Sequence, residues 1–281
     1  MLLELEKKII NKISRIKSYT TRCIFGGYEK EKIDDMYISQ YYTFDYKNIQ
    51  NLIVKDKSCL FIDIGANKGY SVKMAKHFFK NCFVISYEPL KSSYKELEDL
   101  KKLYDNFEFK NVALGAETKE ISINEAYNDT GLSSVFKLNS NYKYFGRDIP
   151  TVNYSVSMIE ANSETEYWNS FNTDIKILKI DVQGYELEIL KNLKEYLIND
   201  NIDVIYIELI TIEKYIGQPS YTDIINFLDC CGFVPLHINP AYRELNTKFV
   251  SVENLECGYT TEYDVTFVKK KYLSGIYESE E

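Results

Sequence analysis

The stretch Leu60–Tyr70, LFIDIGANKGY, constrains this chain more than any other. Leu60, Phe61, Ile62 and Ile64 form an apolar run of the length of a buried strand. Gly65, Ala66, Asn67, Lys68 and Gly69 break it. Val72, Met74, Ala75 and Phe79 then resume at helical spacing. Strand, glycine turn and helix together bring backbone N–H groups and a helix N-terminus up to a ligand. The glycines fall as Gly-x-x-x-Gly, without the Gly-x-Gly-x-x-Gly phosphate pattern or the Gly-Lys-Ser/Thr of a P-loop. Asp63, at the strand's carboxyl end, would repel a pyrophosphate. A cationic ligand suits it better, such as the amino group of an amino-acid-like cofactor.

Charge and cysteine usage narrow the rest. The chain has 281 residues, 34 basic against 42 acidic, for a net charge of −8. That balance argues against general nucleic-acid binding, while leaving a nucleotide-linked or phosphorylated substrate open through a local basic patch. The six cysteines, Cys23, Cys59, Cys82, Cys230, Cys231 and Cys257, include no Cys-x-x-Cys, and the chain has two histidines, so no zinc site is read. Scattered cysteines read as reduced thiols, and the expected location is cytoplasmic. No apolar run reaches membrane-spanning length, and Glu4, Glu6, Lys7 and Lys8 interrupt any signal-peptide core.

Residues 1–18 predict an amphipathic helix, with Leu2, Leu5, Ile9, Ile13 and Ile16 on one stripe and Lys7, Lys8, Lys12, Arg15 and Lys17 opposite. Such a helix packs on the domain or on a sister subunit, where it can serve a homo-oligomer; its basic face also suits a membrane surface. Gly26-Gly27 marks a break, and a helix is expected near Tyr46–Val54. Tyr41, Tyr42, Thr43 and Phe44 either pack or reach the ligand. Residues 1–58 thus read as an N-terminal extension to a domain at 59–272, with an acidic tail at 273–281 (Glu278, Glu280, Glu281).

Within the domain, Phe83–Pro89 reads as a second strand ending in Glu88. An acid there holds a ribose diol in dinucleotide-type folds. A glutamate before a proline-started helix is also an ordinary surface residue; the glycine loop upstream favours the ribose role. A helix over Ser92–Tyr104 and a third strand over Phe107–Val112 follow. Residues 120–160 depart from simple alternation and read as an insert of strands and loops on the substrate side. Ile175–Glu186 repeats the opening design: a strand ending in Asp181, a turn at Gly184, then a helix. Asp181 should lie beside Asp63. Asp203–Leu209 brings a further acid, Glu208, to the same edge. A helix over Tyr221–Cys231 stops at Gly232, and Phe233–Ile238 and Tyr263–Lys269 read as the last strands.

From about Cys59 to Lys270, this order of motifs resembles the FkbM family of S-adenosylmethionine-dependent methyltransferases. The matching pieces are Phe61–Gly69, Tyr87-Glu88-Pro89, Asn111–Gly115, Ser133-Ser134, Leu178–Glu186 and Tyr263–Val268. The chain carries Gln183 where that family more often has Glu. The resemblance implies an α/β fold of the Rossmann-like class I methyltransferase type, a seven-stranded mostly parallel sheet with helices on both faces and an antiparallel last strand. It also implies methyl transfer from S-adenosyl-L-methionine, leaving S-adenosyl-L-homocysteine, to a hydroxyl of a sugar or natural product. On this resemblance Asp63, Gly65, Ala66, Asn67 and Gly69, with Tyr70 and Ser71, would hold the methionine portion. Glu88 with Pro89 would hold the ribose, and Asn111 with Val112 the adenine edge. Asp181, Gln183 and Glu186 would line the junction with the acceptor, and Ser133, Ser134 and Tyr185 the acceptor side.

Transfer to a hydroxyl requires that its proton leave, and a general base is worth about 10²–10⁴ in rate. The candidates are Asp181, Glu186, Glu208 and His237, the last following the apolar run Phe233–Leu236. A lone histidine there also reads as a packed or surface residue, and His77 reads as structural. Clustered carboxylates could bind Mg²⁺, but without an acid-and-histidine set no metal ligand is assigned and Mg²⁺ is not expected. The reading is an O-methyltransferase acting on a sugar hydroxyl, of a nucleotide-activated sugar or a surface polysaccharide precursor such as that of a capsule. Its rivals are a methyltransferase for another small natural product, a silent S-adenosylmethionine-binding module, and a dehydrogenase. Asp63 and the missing third glycine argue against the dehydrogenase.

Overall fold

The computed structural model describes residues 30–33, 36–127, 129–142, 148–244 and 259–273. The expected helix at 1–18, the Gly26-Gly27 break, Cys23, Cys257 and the acidic tail lie outside the described residues, as do the side chains of Tyr41, Tyr42, Thr43 and Phe44.

Two short strands, β1 (Lys30–Ile33) and β2 (Met36–Ser39), pair antiparallel. They lead into helix α1 (Gln40–Ile49), which continues through a π-helical turn, Gln50–Val54. The alternating part follows. β3 (Cys59–Ile64), α2 (Tyr70–Phe78), β4 (Cys82–Tyr87), α3 (Tyr94–Leu103) and β5 (Phe107–Lys110) build one half of a sheet. The other half is β9 (Ile175–Ile180), β10 (Val204–Ile210), β11 (Phe233–Glu244) and β12 (Tyr259–Lys269). The strands run in the order β11-β12-β10-β9-β3-β4-β5, parallel except for β12, which is antiparallel to both neighbours. Every residue of β3 is buried, which is why its sequence is a continuous apolar run and not an alternation.

The third strand ends at Lys110, two residues short of the expected Val112. The chain turns at Asn111-Val112 into β6 (Ala113–Gly115), which joins β7 (Lys119–Ala126) and β8 (Thr151–Glu160) in a separate three-stranded sheet of order β6-β8-β7. Short helices α4 (Thr165–Asn169), α5 (Glu186–Asn192) and α6 (Lys194–Ile198), and the longer α7 (Tyr221–Cys230), cover the face of the main sheet that carries Leu60, Ile62, Leu178 and Ile207.

The opposite face, under α1 and α2, changes character along the strands. Register aligns Val84, Phe61, Ile177, Val204, Val268 and Val234 in one apolar row. Nearer the carboxyl ends of the parallel strands it aligns Ser86, Asp63, Lys179, Tyr206, Thr266 and His237 in a polar row across the same six strands. Buried polar groups need partners, and the helices supply them. The Ser71 hydroxyl of α2 donates to Asp63 Oδ2 at 2.6 Å. Asp45 of α1 accepts from the Thr266 hydroxyl at 3.0 Å and lies 2.9 Å from His237 Nδ1.

β3 and β9 lie side by side although a hundred residues separate them in sequence, and on either side of this pair the strand order departs in opposite directions. Such a switch point opens a crevice at the strands' carboxyl ends. At its floor Gly65 has φ +82°, and a Cβ there would stand 1.9 Å from the Asp181 carbonyl oxygen. Gly65→Ala is therefore expected to lower unfolding stability by about 2–5 kcal/mol, from a left-handed backbone and overpacking together. A urea midpoint unchanged from that of the parent protein contradicts this account of the turn.

Candidate functional site

The crevice is a cleft of about 650 Å³, counting the space open to solvent at its mouth. Its base is the glycine turn. Gly65 N and Ala66 N donate to the Tyr87 carbonyl at 3.0 and 3.3 Å, which ties the turn to the end of β4. Asn67, with φ +47°, donates its N–H to Glu88 Oε2 at 2.6 Å. Leu90 N donates to Glu88 Oε1 at 2.7 Å. Each oxygen of this carboxylate thus has one protein donor and retains a lone pair. Burial pushes the Glu88 carboxyl up to about 7, although the Leu90 and Asn67 N–H groups and the Lys179 charge pull the other way.

Asp63 does not face the cleft. It is fully buried and receives the hydroxyls of Ser71 and Ser86, at 2.6 and 3.1 Å. Its cation is internal: Lys179 Nζ stands 3.1 Å from Asp63 Oδ1. This corrects the sequence-based expectation of a cationic ligand on Asp63. Lys179 also donates to the Gly65 carbonyl at 2.7 Å and lies 3.6 Å from Asp181 Oδ2. Burial alone would lower the pKa of this ammonium; Asp63, Asp181 and Glu88 outweigh burial and raise it.

Asp181 is the exposed acid of the group, its side chain 40% accessible. Beside it, Gln183 sits at φ +58°. The Gln183 amide nitrogen donates to Asp181 Oδ1 at 3.0 Å and to Glu208 Oε2 at 2.5 Å. The Gln183 amide oxygen accepts from Lys214 Nζ at 2.8 Å and lies 2.8 Å from the Tyr215 hydroxyl. The side chain's hydrogen-bonding capacity is filled, so Gln183 is a strut and not the free acceptor-binding group expected from sequence.

Of the sequence-derived residues, Gly65, Asn67, Glu88, Pro89, Ser133, Ser134, Asp181, Gln183 and Tyr185 line this one cleft. Ser133 and Ser134 are buried fasteners there. The Ser133 hydroxyl accepts from Ala126 N at 3.0 Å, and the Ser134 hydroxyl donates to the Gln183 carbonyl at 2.6 Å. Ala66 faces the core, Gly69 abuts Leu100, and Tyr70 points to solvent. Asn111 is exposed and Val112 packs on the core, because the strand has already ended.

Three of the four base candidates do not line the cleft. Glu186 is buried and accepts from Val182 N at 3.1 Å and Gly184 N at 3.0 Å, so it braces the turn before its own helix. A β-bulge between Pro235 and His237 carries His237 onto the α1 face, where Asp45 takes it, three strands from Asp181. Glu208, partly exposed, does not line the cleft and meets it through the Gln183 amide nitrogen.

Sequence reasoning missed the apolar half of the lining: Leu90, Ala113, Leu114, Ile123 and Met158. Ala113 and Leu114 lie within the Asn111–Gly115 motif, and Ile123 within the 120–160 insert; their convergence depends on β6 and β7 both pairing with β8. It also missed Thr130, whose hydroxyl donates to Asn67 Oδ1 at 2.8 Å and brings the insert over the glycine turn. Among the described residues no group of three or more His, Cys, Asp or Glu side chains is arranged to hold a metal, and no helix is long and apolar enough to cross a membrane.

The residues present suit S-adenosylmethionine. A buried carboxylate with free lone pairs fits a ribose diol, an apolar wall fits a purine, and Asp181 with the Gly65 turn fits the charged amino-acid end. Comparison with known proteins agrees in class. The model of the methyltransferase FkbM domain family matches residues 63–235. No curated protein matches the sequence. Similar solved structures include precorrin-6y C5,15-methyltransferase from Geobacter metallireducens, at 13% identity over 86% of this chain and 94% of that one, TM-score 0.40. Two others are an rRNA methylase from Streptococcus thermophilus (11%, 80% and 94%, 0.39) and the N-methyltransferase NodS from Bradyrhizobium japonicum (8%, 85% and 99%, 0.39).

Glu186 offers a test of the turn's electrostatics. Burial pushes its carboxyl up from 4.5 to about 7, against the backbone N–H bonds that lower it. The folded state then binds the extra proton between those values, so this group's contribution is present in acid and lost as pH rises through 7. Relative to the parent protein, Glu186→Gln should gain about 1–3 kcal/mol between about pH 5 and pH 8. A difference in melting temperature that stays constant with pH contradicts it.

Proposed function

Because the chain belongs to the methyltransferase FkbM domain family, a family of S-adenosylmethionine-dependent methyltransferases, we propose that it is a cytoplasmic O-methyltransferase acting on a sugar hydroxyl. The acceptor in this reading is a nucleotide-activated sugar or a surface polysaccharide precursor. The single observation that carries the reading is a half-exposed carboxylate, Asp181, in the wall of the cleft whose other end carries the buried Glu88. An oxygen acceptor, unlike a thioether or a neutral amine, must shed a proton on methylation, and Asp181 is positioned to take it.

S-adenosylmethionine would supply the methyl group as a sulfonium, whose displacement needs no metal. The residues of this chain divide the remaining work. Glu88 receives the ribose hydroxyls on the lone pairs its two backbone bonds leave free. Leu90, Ala113, Leu114, Ile123 and Met158 bury the base and exclude water. Lys179 and Gln183 hold the two oxygens of Asp181 in place, and positioning of this kind supplies much of the acceleration in a displacement. Tyr185, Ser133 and Ser134 edge the cleft next to Asp181, on the side assigned to the acceptor.

Calorimetric titration with S-adenosylhomocysteine tests the donor half. Binding is expected in the micromolar range, and Glu88→Ala should weaken it by about tenfold to a hundredfold, the worth of two hydroxyl–carboxylate hydrogen bonds. No binding to the parent protein overturns the reading. The acceptor half is tested by incubating nucleotide sugars with a labelled methyl donor. A mass gain of one methyl on a sugar oxygen, abolished by Asp181→Asn, is the expected result; methyl transfer to nitrogen or carbon only would exclude the O-methyl assignment.

A further inference from the structure

One buried cation is left unexplained by the cleft itself. Lys214 is fully buried on the segment that leaves β10. Its Nζ donates to Gln183 Oε1 at 2.8 Å and to Glu262 Oε1 at 2.7 Å, beneath the rings of Tyr142 and Tyr215. Burying an ammonium is costly unless its charge and its N–H donors are paired; Glu262 meets the charge and the Gln183 amide oxygen takes a second N–H. The amide contact has a consequence for the cleft, because Gln183 also holds Asp181.

The two ends of the Gln183 amide are chemically distinct. With the oxygen toward Lys214 and Tyr215, its N–H bonds meet Asp181 and Glu208. A flipped amide would set N–H against the ammonium and oxygen against the Asp181 and Glu208 carboxyl groups, three unfavourable contacts in place of three favourable ones. Lys214 is the group that makes this choice one-sided, since the Tyr215 hydroxyl can either donate or accept. The charged groups facing Glu208 are Asp181, Glu262 and Asp264, balanced by Lys214, and burial with these acids pushes the Glu208 carboxyl well up. Asp264 is likewise held up to about 8 by burial, Asp181 and Asp45. Without the Gln183 amide fixed between them, Asp181 Oδ1 and Glu208 Oε2 would lose the N–H bonds that hold each of them in place.

We propose that Lys214 is a positioning residue for methyl transfer: it fixes the Gln183 amide so that one N–H stays on Asp181 and the other on Glu208, which keeps the Asp181 carboxylate aimed at the acceptor's hydroxyl. The catalytic part of this inference rests on the O-methyltransferase reading. The segment that carries Lys214 also meets the insert: Asn139 N donates to the Lys214 carbonyl at 2.9 Å, and Ile216 N to the Lys137 carbonyl at 2.9 Å.

The test is nitrogen-15 NMR of the Gln183 side-chain amide in the full chain, with Lys214→Met and Lys214→Arg. In the parent protein both amide protons should resist solvent exchange, and their shifts should follow the titration of Glu208. Lys214→Met should speed that exchange by about tenfold, the worth of one lost hydrogen bond, and Lys214→Arg should restore it. Because Lys214→Met leaves Glu262 buried and unpaired, the same measurement on Lys214→Met with Glu262→Gln guards against simple misfolding. Unchanged exchange in a folded variant overturns the proposal, as does a freed amide with a full transfer rate. Affinity for S-adenosylhomocysteine should fall by less than the transfer rate does, since Lys214 reaches the donor side only through Gln183 and Asp181. Loss of that binding in the parent protein would instead count against the functional reading and leave the amide lock standing.

Discussion

The buried pair between Asp63 and Lys179 is what the rest of the site depends on. A carboxylate and an ammonium taken out of water are stable only with close geometry and with their remaining hydrogen bonds satisfied. Here the carboxylate has Ser71 and Ser86, and the ammonium has the Gly65 carbonyl and Asp181. The pair joins adjacent strands from the two halves of the sheet. It therefore fixes the glycine turn to β9 and the Asp181 side chain to the cleft through Lys179, and the α2 helix to β3 through Asp63. Lys179 does this only because its register neighbours form a polar row just above an apolar one.

From that anchor the cleft acquires two unlike walls. Residues at the ends of β3 and β4 present a buried acid, held by the backbone N–H groups of Asn67 and Leu90. The small sheet β6-β8-β7 presents apolar side chains and, through Thr130, closes on Asn67. The third side, at Asp181, is charged and partly open. A ligand satisfying all three must combine a sugar diol, a flat apolar ring and a charged end. The family assignment, made on sequence over residues 63–235, and the physical demands of this space converge on the same cofactor.

Much of this was legible in the chain. Fully buried parallel strands read as continuous apolar runs, so β3, β4, β9 and β10 were visible, and acids at their ends marked the functional edge. The destination of each acid was not. Asp63 read as a ligand contact because its partner lies more than a hundred residues away; the signal was Lys179 itself, a lysine in the otherwise apolar run Ile175–Ile180. Glu186 read as a base but braces its own turn, which a carboxylate at the first position of a helix after Gly184 could have indicated. His237 was misplaced by a bulge, a one-residue slip that hydrophobic pattern does not encode. The wall of Ile123 and Met158 needed the pairing of β6 with β8, a long-range contact with no local trace.

The central claim is that Asp63 and Lys179 act as one unit. A double-mutant cycle with Asp63→Asn, Lys179→Met and both together, read by urea denaturation, tests it most directly. Each single substitution should cost about 3–5 kcal/mol by stranding a buried charge, and the double variant should recover a large part of that sum. Costs that simply add would contradict the account, because they would mean that neither group depends on the other.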